Sequence, residues 1–380
     1  MKNTTLVARS LFTILFTVLG TLSLSLTAAP KVLKVGVFQP MSGPTATFGQ
    51  ETMKGFEMAV NEINNKGEVK IDFILEDDKS DVTDAANAVK KLINVDKVHF
   101  LVGSVPSSNT NAAAPIAQQA GVPLLTSAST NVSVTQKGEF ISRICFIDDF
   151  QGLGMAKFAS ESLKAKKAAI MVDSASDYSQ GLAKSFKDSF VKLGGEVVAE
   201  VSYTAKDQDF SSQLTRIRAR KPDVIFVPGY YQEVGNILRQ AKTQGIKVPF
   251  LGGDGWSSPE LPKLAGAAID GHFYADHFSP DDQDPKVKEF VSKYKKLYGE
   301  TPSAMGALGY DAAYVVADAF KRSGYKTDGK SLAKAVNSTA GFVGVTGKIT
   351  LDENRNAHKP LVILQTTKDS YMSFKQRIDP

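Results

Sequence analysis

Cysteine, histidine and tryptophan are all scarce in these 380 residues, and each shortage closes off a class of chemistry. Cys145 is the single cysteine, so no intramolecular disulfide can form. It lies in the apolar run 144–147 and reads as a small buried hydrophobe. The four histidines, His99, His272, His277 and His358, are too scattered for a zinc set. His272 and His277 fall five apart in an expected strand, on opposite faces, so they cannot ligate one ion together. No nucleophile-elbow pattern occurs, and the lone thiol has no evident activating partner. Beyond the first 30 residues no run is long and apolar enough to cross a bilayer. Charge of one sign is missing too. The 45 basic and 40 acidic residues interleave, which argues against a nucleic-acid partner.

The chain does have a leader-like beginning. Lys2 and Arg9 give a basic start, residues 11–24 are apolar apart from Gly, Ser and Thr, and Thr27-Ala28-Ala29 offers small residues for cleavage. This order predicts a secretory signal peptide over 1–29 and a mature protein in the periplasm. No cysteine follows the apolar stretch, so a lipid anchor is not expected. Without Lys2 and Arg9 the formal charge falls from +5 to +3. The roughly 350 remaining residues suffice for two domains of ordinary size.

Short β-rich apolar runs alternate with helical patterns. The runs at 35–38, 71–75, 98–102 and 122–125 form one set; those at 168–172, 197–203, 224–227, 248–251 and 272–278 form another. Between them Phe56, Val60 and Ile63 keep helical spacing, as do Phe186, Phe190 and Leu193. Gly67, Gly121, Gly194 and Gly245 fall at helix exits. Continuous apolar strands separated by single helices predict an α/β fold of doubly wound parallel sheets covered on both faces. The segment 141–151 separates the two strand sets without a Pro- or Ser-rich linker, so it reads as a close hinge. Helices are expected at 287–298 and 305–323, and a final strand pair at 347–351 and 361–365. Two such lobes facing each other place a site at the carboxyl ends of their strands.

Three loops carry small or polar residues directly after a strand. Residues 103–110 (GSVPSSNT) open a helix, where Ser107 and Ser108 accompany unpaired backbone N–H groups suited to a carboxylate, or simply cap the helix. Residues 125–130 (LTSAST) expose hydroxyls and backbone polar groups, as a ligand loop or a polar capping loop would. In 252–258 (GGDGWSS), glycines flank Asp254, so the acid either faces a ligand or bonds to its own turn. The sole tryptophan, Trp256, stands beside it and favours a lined pocket. Two other signals mislead. Residues 324–331 match the phosphate-loop pattern letter by letter, but a helix rather than a strand is expected before them. Asp77, Asp78, Asp81 and Asp84 suggest calcium, yet lack the central glycine and closing glutamate of a calcium loop.

A set of short segments, taken in order, is more specific: Pro40-Met-Ser-Gly-Pro with Phe48-Gly49; Glu76-Asp-Asp; Ser107-Ser108 with Thr110; Ala128-Ser-Thr130; and Asp149-Phe-Gln-Gly152. Asp177-Tyr178, Asp209-Phe-Ser, Gly229-Tyr230 with Glu233 and Gly235, and Gly252-Gly-Asp254-Gly continue it. Over its mature length the chain resembles the leucine/isoleucine/valine-binding family of periplasmic binding proteins. The resemblance implies a type I periplasmic binding protein fold: two lobes joined by a three-strand hinge, closing over ligand. The expected division is 30–145 with 279–351 for the first lobe and 146–278 with 352–380 for the second.

By the same resemblance, Ser107 and Thr130 hold a ligand carboxylate, and the Ala128 carbonyl, the Thr130 hydroxyl and Asp254 hold an ammonium group. Phe48, Tyr178, Tyr230 and Met305 line the pocket. The acid at position 254 is often Glu in the family, and its cysteine pair is replaced here by Ser80 and Pro106. The function so implied is capture of an amino acid, branched-chain or otherwise apolar or aromatic, for an ABC transporter permease. A monomer with no cofactor, no metal and no enzymatic activity is expected. The alternatives are a binder of short amides, urea or aromatic acids, a chemosensory binding protein, or a hydrolase of the same two-lobed shape.

Overall fold

The computed structural model describes residues 29–368 and 373–380, and the leader expected over 1–29 lies almost wholly outside them. The first half builds β1 (Lys31–Gln39), α1 (Ala46–Asn65), β2 (Val69–Asp77), α2 (Val82–Asn94), β3 (Phe100–Gly103), α3 (Ser107–Ala120), β4 (Leu124–Thr126) and β5 (Ile141–Arg143). These five strands form one parallel sheet in the order β2-β1-β3-β4-β5. Strand β1 shows why both faces are covered. Val35 and Val37 pack into a core shared with Phe56 of α1, while Phe38 turns to Val89 of α2 and Ala114 of α3. A strand buried on both faces reads as a continuous apolar run, as this one does.

The second half repeats the plan with α4 (Asp148–Lys157), β6 (Lys167–Asp173), α5 (Asp177–Lys192), β7 (Glu196–Tyr203), α6 (Ser211–Ala219), β8 (Val224–Phe226), α7 (Tyr231–Thr243), β9 (Phe250–Gly252), α8 (Leu261–Ala265) and β10 (Phe273–Asp276). The chain then returns to the first lobe with α9 (Pro285–Tyr298), α10 (Ala304–Arg322) and α11 (Gly329–Asn337). Helix α10 packs on α1 so closely that a Cβ at Gly309 would lie 2.0 Å from the Thr52 carbonyl oxygen. Only glycine permits that approach. Strands β11 (Phe342–Gly344), β12 (Gly347–Leu351) and β13 (Ala357–His358) make a small sheet, and β14 (Leu361–Gln365) and β15 (Ser373–Ile378) extend the second large one. Its order is β15-β14-β10-β9-β8-β6-β7; β14 runs antiparallel to both its neighbours, β10 and β15, and the remaining pairs are parallel. The chain therefore passes between the lobes at 144–147, at 277–284 and near 359–360.

Two expectations need correction. Residues 141–143 are not hinge but the edge strand β5, too short to show a period of its own. Strands 347–351 and 361–365 do not pair with each other. The third passage between the lobes separates them, so β12 pairs with β11 and β13 while β14 pairs with β10 and β15. The four glycines at helix exits all take positive φ, from +66° to +84°. The segment 324–331 links α10 to α11, with Asp328 capping α11 through the Ser331 N–H at 2.9 Å, so no strand precedes it. Asp81 caps α2. Buried Asp78 accepts bonds from Ser104 and Asn109 and so fixes the start of α3.

Candidate functional site

The carboxyl edges of the two sheets face each other, and their loops touch across the gap. Asn111 donates to an Asp177 carboxylate oxygen at 2.8 Å, and the Asp177 N–H donates to the Ser108 hydroxyl at 3.0 Å. The Asn131 amide donates to the Asp177 carbonyl at 2.6 Å, and the Tyr231 hydroxyl donates to Thr47 at 3.1 Å. Ser108, read from the sequence as a carboxylate group or a helix cap, takes part in this lobe-to-lobe contact.

On the first lobe, Ser107 is the first residue of α3, and its buried hydroxyl accepts the Asn131 N–H at 3.2 Å. The loop after β4 is tied down from two sides. Thr126 donates to the Ser104 carbonyl at 2.8 Å and accepts the Ser129 N–H at 3.0 Å. From behind, fully buried Arg143 donates to the carbonyls of Ser129 at 2.6 Å and Asn131 at 2.8 Å. Those bonds hold Ala128 and Thr130 in place while leaving the Ser127 and Thr130 hydroxyls without a hydrogen-bond partner among the described residues. An unpaired buried hydroxyl is costly, which suits groups that face a polar ligand.

On the second lobe, Tyr178 lies in the first turn of α5 and Tyr230 precedes α7. Their rings stack at 5.2 Å with planes 9° apart. Phe48, from the first turn of α1, meets Tyr230 edge-on at 5.7 Å, so the lobes share one aromatic wall. Such pairs contribute about 0.5–1.5 kcal/mol beyond the area they bury. Met305, in the first turn of α10, is buried in the core that α10 shares with α1. Trp256 turns away from the cleft: its ring is fully buried, stacks on Tyr274, and its Nε1–H donates to the Val227 carbonyl at 3.0 Å.

Asp254 begins the turn after β9. Its N–H donates to Gln151 Oε1 at 2.7 Å, and Gln151 Nε2 donates back to Oδ1 at 3.1 Å. His277 Nε2 lies 3.1 Å from Oδ2. The carboxylate is thus aimed by two neighbours and does not bond to its own turn. Gly253 is needed for the arrangement, since a Cβ there would stand 2.5 Å from the Tyr178 hydroxyl and 2.6 Å from Gln151 Oε1. The Tyr178 hydroxyl accepts the Gly255 N–H at 3.0 Å, linking the acid's turn to the aromatic wall. Asp148, at the start of α4, is a second acid in this place. Burial pushes its pKa well up, the Thr130 hydroxyl opposing and the Asp254 charge adding to it. Neither Asp148 oxygen meets hydrogen-bond geometry among the described residues. Burial likewise raises both tyrosine hydroxyls, with Asp254 and Asp148 adding to the effect, so both acids lie near the stacked rings. A hollow of about 330 Å³ lined by Glu62, Lys66, Lys293, Tyr310 and Tyr314 lies on the outer side of the first lobe and contains none of these groups.

Comparison with known proteins fits this geometry. The profile of the family described as periplasmic binding protein matches residues 32–370. The chain belongs to that family. It is 30% identical over 334 residues to the leucine-, isoleucine-, valine-, threonine-, and alanine-binding protein of Pseudomonas aeruginosa, covering 87% of this chain and 88% of that one. The crystal structure of a leucine binding protein from Thermotoga maritima superposes with a TM-score of 0.88 at 40% identity, covering 92% of this chain and 99% of that one. The branched-chain amino acid transporter substrate binding protein of Streptococcus pneumoniae, solved with isoleucine, gives 0.86 at 34% identity, covering 92% and 100%.

Within the family fold, the expected site residues fall into three groups. Phe48, Tyr178, Tyr230 and Asp254 are brought together by direct or electrostatic contact. Ser107, Ala128 and Thr130 share the facing loops. Met305 stays in the core that α10 shares with α1. Sequence reasoning passed over Asp148, Gln151 and His277. Gln151 lay within a segment already singled out, two residues after Asp149. In sequence His277 is one of four scattered histidines, and nothing local to it points to Asp254, which is 23 residues away.

Proposed function

We propose that this protein is a periplasmic solute-binding protein that captures a free amino acid, branched-chain or otherwise apolar or aromatic, and hands it to an ABC transporter permease. The observation that carries the reading is Asp254, a buried carboxylate fixed by Gln151 and His277 beside a stacked tyrosine pair and opposite a loop of unpaired hydroxyls. A zwitterion needs both ends satisfied, and each bond to a charged group contributes about 1.5–3 kcal/mol. Ser107 and Thr130 take the ligand carboxylate. The Ala128 carbonyl, the Thr130 hydroxyl and Asp254 take the ammonium. Phe48, Tyr178 and Tyr230 enclose the side chain, and Met305, expected beside them, contributes from the core under α1 and α10.

The lobes divide as 30–145 with 279–351 and 146–278 with 352–380, except that 352–358 stay with the first lobe, where β13 pairs with β12 and Arg355 and Asn356 bond to Thr135 and Ile141. Closure completes a site that neither lobe holds alone, and the transporter reads the closed form. The protein acts as a monomer without cofactor or catalysis, exported by cleavage of a signal peptide over 1–29. Thermal melting of the mature protein against amino acids, aromatic acids and short amides tests this reading. Leucine or isoleucine at a hundredfold excess over Kd should stabilise it by about 2.7 kcal/mol. Stabilisation by benzoates or amides alone would refute it.

A further inference from the structure

The groups that hold Asp254 lead out of the site. His277 is fully buried, and its ring lies face to face on Phe146, with centroids 3.7 Å apart and planes 23° apart. Phe146 belongs to the first passage between the lobes, and His277 opens the second, directly after β10. Lys359, in the third passage, is near enough to act on the imidazole electrostatically. One ring therefore touches the candidate ligand acid at one edge and packs among the hinge strands elsewhere.

We propose that His277 is a positioning residue that holds the Asp254 carboxylate ready for a ligand cation and couples that acid to the hinge. This rests on the amino-acid reading above. Burial pushes the imidazole down to about 4, with the Asp254 bond and charge opposing and Lys359 adding, so the ring is neutral at pH 7. A neutral imidazole has one N–H, and the bond to Asp254 assigns it to Nε2. Nδ1 is then a bare acceptor, and it has no hydrogen-bond partner among the described residues. A neutral donor orients the carboxylate without supplying a countercharge, which leaves that role to the ligand; a lysine or arginine here would fill it permanently. The titratable groups around the ring are Asp254 on the turn after β9, Asp276 at the end of β10, whose carboxyl accepts the His277 backbone N–H at 2.8 Å and is pushed well up by burial, and Lys359.

Two variants and one spectrum test the proposal. His277→Phe keeps a ring against Phe146 and loses the donor, whereas His277→Gln keeps an N–H within reach of Asp254. In calorimetric titration with leucine at pH 7, the Phe variant should bind roughly ten- to a hundredfold more weakly, and the Gln variant should recover most of that loss. Asp254→Asn serves as the control. Wild-type affinity in His277→Phe, with binding lost in Asp254→Asn, would overturn the role of His277 and leave the amino-acid reading standing. Undiminished binding in both would fell the reading itself. A spectrum of imidazole 15N-labelled wild type needs no variant to fold. His277 should appear as the Nε2–H tautomer at pH 7, with its Nε2 signal moving when leucine is added. An Nδ1–H tautomer, or a signal that does not move, would overturn the proposal.

Discussion

The two faces of the cleft solve different electrostatic problems. The first lobe presents hydroxyls and backbone groups on a loop that buried Arg143 braces from behind through the carbonyls of Ser129 and Asn131. The second lobe presents rings and acids: Tyr178 and Tyr230 stacked, Asp254 fixed by Gln151 and His277, Asp148 beside them, and Glu233 at the start of α7. Neutral donors suit an anionic end, because several modest bonds share the charge. A cationic end needs a carboxylate held in place before the ligand arrives. On the proposed reading the first lobe takes the carboxylate and shares the ammonium with Asp254 of the second, so closure alone completes the site.

The largest way to break this division is Asp254→Asn, which keeps the shape and removes the charge. Affinity for leucine should fall by about 2–5 kcal/mol in calorimetric titration, since the ligand ammonium is left unpaired. A purely structural acid would instead lower the melting point and leave affinity nearly intact.

The second test asks whether the ring-bearing lobe carries a buried acid that titrates near neutral pH. Burial, with Asp173 adding, pushes Glu233 up to about 7. A carboxyl raised above its unfolded value lends stability below about pH 4.5 that is lost as pH rises through about 7. Glu233→Gln removes that loss, so melting curves should show the variant gaining on wild type across this window, by on the order of 3 kcal/mol at most. Parallel curves would show that the acid does not titrate there.

The smallest effect is expected from the neutral wall. Ser107→Ala should weaken leucine binding by about 1–3 kcal/mol, and the methyl ester of the ligand should lose a similar amount against wild type. An ester that binds as well as the acid would place the carboxylate elsewhere.

Much of this was legible in the sequence where the signal is local. Apolar runs mark the strands of both large sheets except β5 and the polar edge strand β15, and a strand followed by Ser107 or Asp254 marks the loops that face the cleft. What stayed hidden depends on contacts between distant segments. Strand β5 has three residues, too few to show a period, and takes its place only by pairing with β4. The partners of β12 and β14 could not be told from their sequences, because the third passage parts them. His277 looked like an isolated histidine until β9 and β10 paired and brought it to Asp254. Trp256 suggested a lined pocket, but its N–H found the Val227 carbonyl in the core instead.

The central claim is that neither wall binds alone and that ligand draws them together. Small-angle X-ray scattering on the mature protein, with and without saturating leucine, tests it most directly. A smaller radius of gyration with leucine is the predicted result, and superimposable profiles under proven saturation would contradict the account.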